Sequence, residues 1–428
     1  MKKPASHLIT LDKGTHYCLR FIGNSHFRNQ IILDHKKMSE RILLCLCHMS
    51  GREMDFIQDA FDGNWVVPLG PNVNGFEKDL ENFLLQSGPN ELHEKRIVAL
   101  SSGTAAIHLG LVGLGVGKDD EVMVQSFTFS ASANPVVYQG ATPVFVDSEQ
   151  ETWNMDPELL DRAIEDRVKK TGRKPKAIIP VYLYGMPAKI GEIMEVSSKW
   201  EIPVLEDAAE AFGSRYDASF CGTFGDFGAF SFNGNKMITT SGGGALICPD
   251  ENIAKAILKY ATQSREGVPW YEHRQIGFNY RMSNICAGIG RGQMTIAEDH
   301  IAHHKKIQEL YRQNFKGIEG IELHDNPSPE YDSNFWLCTI TFSDDIKIKD
   351  DDGCGTPEAM RRKLDAAGIE SRQLWKPMHL QPYFKDYPMY INGISENLFK
   401  RGLCLPAGPW VGPEEVDKIV SVIKSNIS

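Results

Sequence analysis

Lys236 stands in Ser231-Phe-Asn-Gly-Asn-Lys236-Met-Ile-Thr-Thr-Ser-Gly-Gly-Gly244, a polar stretch flanked by glycine. Upstream, an apolar run ends in acid: Pro203-Val-Leu-Glu206-Asp207-Ala-Ala-Glu210. An amine in such a turn can form a Schiff base with an aldehyde. A carboxylate at a strand end can keep a pyridine nitrogen protonated, so that the ring draws electrons. Together they outline a site for pyridoxal phosphate, with Lys236 and Asp207 as catalytic candidates. One lysine in a turn is more often a plain surface residue, so the reading depends on further residues that suit the same cofactor.

Several do. Ser102-Gly103-Thr104-Ala105 lies where an apolar run hands over to a helical pattern. Backbone amides at a helix start favour anions, and Thr104 adds a hydroxyl; simple capping explains the same residues. Phe129 in Ser126-Phe-Thr-Phe129-Ser could stack on a flat heterocycle, or be an ordinary core aromatic. Asp207 and Glu210 fall where an open α/β sheet gathers its ligands, although an N-cap with a capping box gives the same spacing. Gly242-Gly-Gly244 permits close backbone approach. Asn279, in Gly277-Phe-Asn-Tyr-Arg281-Met-Ser283, is a polar island before a helix. His300, His303 and His304 share one helix face; no ligand set closes around them, so they read as a solvated face and no metal site is expected.

The elements that must position these residues alternate. Short apolar strands are predicted at 97–100, 121–124, 143–146, 177–182, 203–205, 227–232 and 244–248, with helical patterns between them. Near-continuous apolar strands of this kind argue for a mostly parallel sheet covered on both faces by helices. Beyond residue 285 the pattern predicts one long helix to about 315. A strand over 336–342 follows, then helices at 356–367 and 413–424. The fold class is therefore α/β, with a large domain at 42–290 and a smaller α+β domain at 291–428. Residues 1–41 are rich in Lys, Arg and His and lack either period, which marks them as a dispensable, poorly ordered extension.

Composition narrows the function classes. The 428 residues carry a formal net charge of −10, which argues against nucleic acid or an anionic membrane as partner. Nine scattered cysteines suit a reducing cytoplasm. The longest early apolar run, Ile42-Leu-Leu-Cys-Leu-Cys47, is far short of the ~20 residues a spanning helix needs.

Taken with His48-Met-Ser-Gly-Arg-Glu53, Asn64-Trp-Val-Val-Pro-Leu-Gly-Pro71 and Trp375-Lys-Pro-Met-His-Leu-Gln-Pro382, these segments resemble the sugar-nucleotide aminotransferases of the DegT type, over nearly all of residues 45–428. The similarity is greatest to members that aminate 4-keto-6-deoxy sugar nucleotides for bacterial polysaccharide or glycan. The resemblance implies the type I aminotransferase fold, with a seven-stranded sheet. It places the cofactor aldehyde on Lys236, the pyridine nitrogen on Asp207, and Glu210 near the phenolic oxygen. Phe129 would stack on the ring, with Gly103, Thr104, Ala105 and Ser231 at the phosphate. Asn279 would reach the phosphate of a neighbouring subunit, implying a homodimer with shared sites. Trp65, Trp375 and His379 fall in segments near the sugar-nucleotide cleft. The expected reaction is transfer from glutamate to a UDP-linked keto sugar. The alternatives are a dehydratase or aromatic-amine synthase on the same fold, or a non-catalytic subunit.

Overall fold

The computed structural model describes residues 41–85, 90–349 and 352–427. The extension expected at 1–41 lies outside the described residues, except for Arg41.

Seven strands make the central sheet, in the order Arg96–Leu100, Gly244–Cys248, Phe227–Ser231, Leu205–Asp207, Ala177–Ile179, Glu121–Gln125, Thr142–Val146. Parallel bridges Ile178–Val204 and Val181–Asp207 join its two halves. Within this sheet only Gly244–Cys248 runs against its neighbours, so the mostly parallel expectation holds. Residues alternate between the faces, as a two-residue period demands. Ile97, Ala99 and Met123 enter one core, while Val98, Leu100, Val122 and Val124 enter the other. Both faces are therefore dry, which is why these strands read as unbroken apolar runs. An eighth strand, Met389–Tyr390, pairs in parallel with Thr142–Val146; its two half-exposed residues gave no such signal in sequence.

The smaller sheet, Ile321–Leu323, Cys338–Phe342, Gly402–Leu405 and Arg372–Gln373, is antiparallel. Helices Ala297–Phe315, Thr356–Ala366 and Pro413–Asn426 bury Tyr311, Met360, Leu364 and Ile419 against it.

Two differences from the sequence reading have physical causes. The long helix is two, Asn284–Met294 and Ala297–Phe315. Thr295 Oγ1 donates to Gly292 O at 2.6 Å between them, a side-chain bond that competes with the helical ladder. The second helix begins in the first core, with Ala297 and Ile301, and ends in the third, with Ile307, Tyr311 and Phe315. The boundary expected at 290, inside the long helical stretch, falls in the first of these helices, and the next helix joins two cores. Secondly, the start of the described chain pairs with the segments that flank two strands of the small sheet. Ile42 N donates to Gly368 O and Glu370 N to Ile42 O, both at 2.8 Å, and Ala407 N donates to Leu44 O at 3.0 Å. No helix among the described residues is long and apolar enough to cross a membrane.

Candidate active site

The carboxyl ends of the parallel strands open on one side, and the chemistry collects there. The strand at 205 runs on through Asp207 because Asp207 N donates to Pro180 O at 2.9 Å and Ala208 N to Ala229 O at 2.9 Å. Asp207 thus closes a strand at the floor of a cavity of about 320 Å³. Gly103, Thr104, Phe129, Glu210, Ser231, Lys236, Trp336 and Trp375 also line it.

Asp207 is 5% exposed. Its Oδ2 accepts from Ser132 Oγ at 2.6 Å and its Oδ1 from Ala209 N at 3.1 Å. Burial pushes its carboxyl above the usual range, and the two donors pull the other way. Glu210 is equally buried; burial raises it too, against the pull of Lys236. Glu210 Oε2 accepts from Tyr184 N at 2.7 Å, and Oε1 pairs with Lys236 Nζ at 3.1 Å. The Trp336 ring lies over the same Nζ, 3.9 Å from its centroid, and its indole N–H donates to Asn235 O at 2.6 Å. The lysine side chain is 13% exposed.

Helix Gly103–Gly113 presents its N-terminus to the same cavity. Ser102 Oγ accepts from Ala105 N at 3.0 Å, so the capping reading is right for Ser102 and leaves the Thr104 hydroxyl for the cavity. Gly103 is required there, since a Cβ would stand 2.9 Å from Ser231 Cβ. Phe129, four residues past the end of strand Glu121–Gln125, is 57% exposed, unusual for a phenylalanine. Its ring centroid is 5.3 Å from that of Trp375.

These residues fit pyridoxal phosphate. Asp207 is a buried carboxyl with only neutral hydrogen-bond donors, and such a group calls for a cation; a protonated ring nitrogen supplies one. The helix N-terminus suits the phosphate, Lys236 the aldehyde, and the open Phe129 face the ring.

Of the other candidates, Ala105 is buried behind the helix start and does not line the cavity. Asn279 is exposed, bridged to Thr262 and away from this cavity. Trp65 is exposed and outside it too. His379 is buried: Nδ1 meets Ser126 Oγ at 2.6 Å and Nε2 meets Glu396 at 3.3 Å. The histidine face needs correction. His300 and His304 are buried, with Nδ1 of each 3.2 Å from a carbonyl, Met237 O and Phe335 O respectively. Their helix joins two cores, so the face that a surface helix would leave wet is covered. Two site residues escaped the sequence reading. Trp336 sat in a stretch taken wholly as strand, and Ser132 carried no mark beyond its closeness to Phe129.

Residues 48–424 match the DegT/DnrJ/EryC1/StrS aminotransferase family. The chain is 42% identical over 393 residues to EpsN of Bacillus subtilis (strain 168), described as a pyridoxal phosphate-dependent aminotransferase; the match covers 90% of this chain and 96% of that one. It is 34% identical over 369 residues to the GDP-perosamine synthase of Escherichia coli O157:H7, covering 86% and 93%. A sugar aminotransferase from Streptococcus pneumoniae, solved in its PLP-form, shares the fold with a TM-score of 0.79 at 26% identity, covering 90% of this chain and 98% of that one. A lysine paired with a buried glutamate, a buried aspartate and a helix N-terminus around one cavity are thus accounted for: the chain belongs to the DegT/DnrJ/EryC1/StrS aminotransferase family and is a pyridoxal phosphate-dependent transaminase.

Proposed function

We propose that this transaminase moves an amino group from glutamate to a 4-keto-6-deoxy nucleotide sugar, UDP-linked, for polysaccharide or glycan biosynthesis in the cytoplasm. The observation that carries the reading is the placement of Lys236 Nζ, held by Glu210 at 3.1 Å and roofed by Trp336, on the cavity that Asp207 floors. The family match and the nucleotide-linked sugar in the name of the E. coli relative support the substrate class.

Bound there, the cofactor would supply an electron sink and a carrier for the amino group. Asp207 would hold the positive ring nitrogen. Lys236 Nζ takes the proton from the donor's α-carbon and later delivers one to the sugar carbon that gains nitrogen. Glu210 keeps that amine in reach, and the Trp336 ring shields it from water. Phe129 and Trp375 offer aromatic faces at the mouth. The exposed Asn279 side chain does not line its own cavity and would serve a second copy in a homodimer. The exposed apolar run Trp65, Val66, Val67 and Leu69 supports such a face.

The test is a panel of keto sugars offered with glutamate. UDP- and GDP-linked 4-keto-6-deoxy and 3-keto sugars are each incubated with the holoenzyme, and products are weighed by mass spectrometry. Conversion of the UDP-linked 4-keto sugar to its amine, with one 2-oxoglutarate released per turnover, is the expected result. Amination confined to GDP-linked or 3-keto sugars, or loss of oxygen without gain of nitrogen, would overturn the assignment.

A further inference from the structure

Asp207 does not stand alone at the end of its strand. Ser132 Oγ lies 2.6 Å from Asp207 Oδ2, and Thr128 Oγ1 lies 2.7 Å from Ser132 Oγ. All three side chains are buried. A serine hydroxyl has one proton, and a carboxylate can only accept, so that proton goes to Asp207. Ser132 Oγ must then accept from Thr128. The direction of the chain is settled by its last member: Thr128 donates to Ser132, and Ser132 to Asp207.

Both hydroxyls belong to the segment that carries Phe129. Ser132 ends the single turn Ser130–Ser132, and Thr128 precedes Phe129. The same segment is pinned at its start, where Met378 N donates to Ser126 O at 2.7 Å and Ser126 Oγ meets His379. The aromatic that faces the cavity and the donor that grips the floor carboxylate are therefore parts of one short, doubly anchored segment.

We propose that Ser132, oriented by Thr128, is a positioning residue that fixes the Asp207 carboxylate for the cofactor's ring nitrogen. The bond it donates favours the charged form of a carboxyl that burial disfavours. Ser132 has a second effect, since its anchor on Asp207 ties the Phe129 segment to the strand that receives the ring.

The proposal is tested on the holoenzyme by cofactor retention, measured as pyridoxal phosphate affinity by equilibrium dialysis from pH 5.5 to 8.5. In S132A the carboxyl protonates more readily, so the midpoint of cofactor loss moves up by about one pH unit, a tenfold change in proton affinity. S132T keeps a hydroxyl and restores the wild-type profile. T128V removes the orienting donor and shifts the midpoint in the same direction by a smaller amount. An S132A profile that superimposes on the wild type, or one weakened equally at every pH, overturns the proposal. The second pattern is what loss of loop structure alone would give. Should S132A not fold, T128V decides: a midpoint identical to wild type rejects the role.

Discussion

Lys236 and its neighbours divide their work through contact. Glu210 Oε1 reaches Nζ, while its Oε2 is held by Tyr184 N, so the carboxylate is braced from behind and faces the amine. K236A removes the proposed nucleophile and is expected to cut turnover by at least ~10³-fold and to abolish borohydride fixation of the cofactor to the chain. E210Q keeps the amine and is expected to retain that fixation with turnover down roughly tenfold, the scale of one charge-assisted hydrogen bond. Absorbance after reduction and a steady-state assay read both; E210Q with wild-type turnover would remove Glu210 from the argument. His304 makes a separate prediction. Burial pushes it down to about 3, below its unfolded value near 6.5. The unfolded chain therefore binds the extra proton between these limits, and stability falls as pH drops from about 6.5 towards 3. The slope is about 1.4 kcal/mol per pH unit for one such group. Urea unfolding of H304Q at pH 7.5 and 5 should show a smaller difference between the two pH values than wild type does.

At the scale of elements, the site depends on how closely a strand can approach a helix start. A Cβ on Gly244 would lie 2.4 Å from Ser102 C and 2.5 Å from Gly103 N, both backbone atoms that cannot turn aside. G244A must push the N-terminus of helix Gly103–Gly113 away from the sheet, and with it the amides and Thr104 hydroxyl offered to the phosphate. We expect a destabilisation of ~1–3 kcal/mol in urea, together with weaker cofactor binding by dialysis. Stability lost with cofactor affinity intact would show that the helix start is not the phosphate site. This is also where legibility in the sequence stopped. The glycine triplet was visible, but which glycine touched which backbone depended on the antiparallel pairing of Gly244–Cys248 with Arg96–Leu100. Likewise, the period of residues 285–315 is continuous, and only the Thr295 side chain and the two cores at either end explain the break.

For the whole molecule, the described N-terminal residues pin the small sheet. Ile42 pairs with Gly368 and Glu370, and Leu44 with Ala407. A chain starting at Met38 should keep wild-type activity and unfolding midpoint, whereas one starting at His48 loses these pairs and should unfold earlier. Equal midpoints would contradict the pairing. The proposed homodimer has its own test. K236A and N279A, each inactive alone, should recover activity when mixed and reannealed, because one of the two sites in a mixed dimer then holds both native residues. No recovery, with mixed dimers shown by mass, would place Asn279 outside a shared site.

Residue order alone determined the parallel sheet, since strands dry on both faces must be apolar throughout, and with it the strand ends where Lys236, Asp207, Glu210 and Phe129 meet. Local pattern carried that much because a strand's two-residue period and its terminal turn are written in adjacent positions. Tertiary structure alone decided what closes the site. Trp336 lies 100 positions beyond Lys236 in the chain, and Ser132 grips Asp207 across a separation of 75. His300 and His304 are buried rather than wet because their helix packs between two cores, against Met237 and Phe335. Contacts of that kind leave no period in the sequence; they exist only once distant elements are packed.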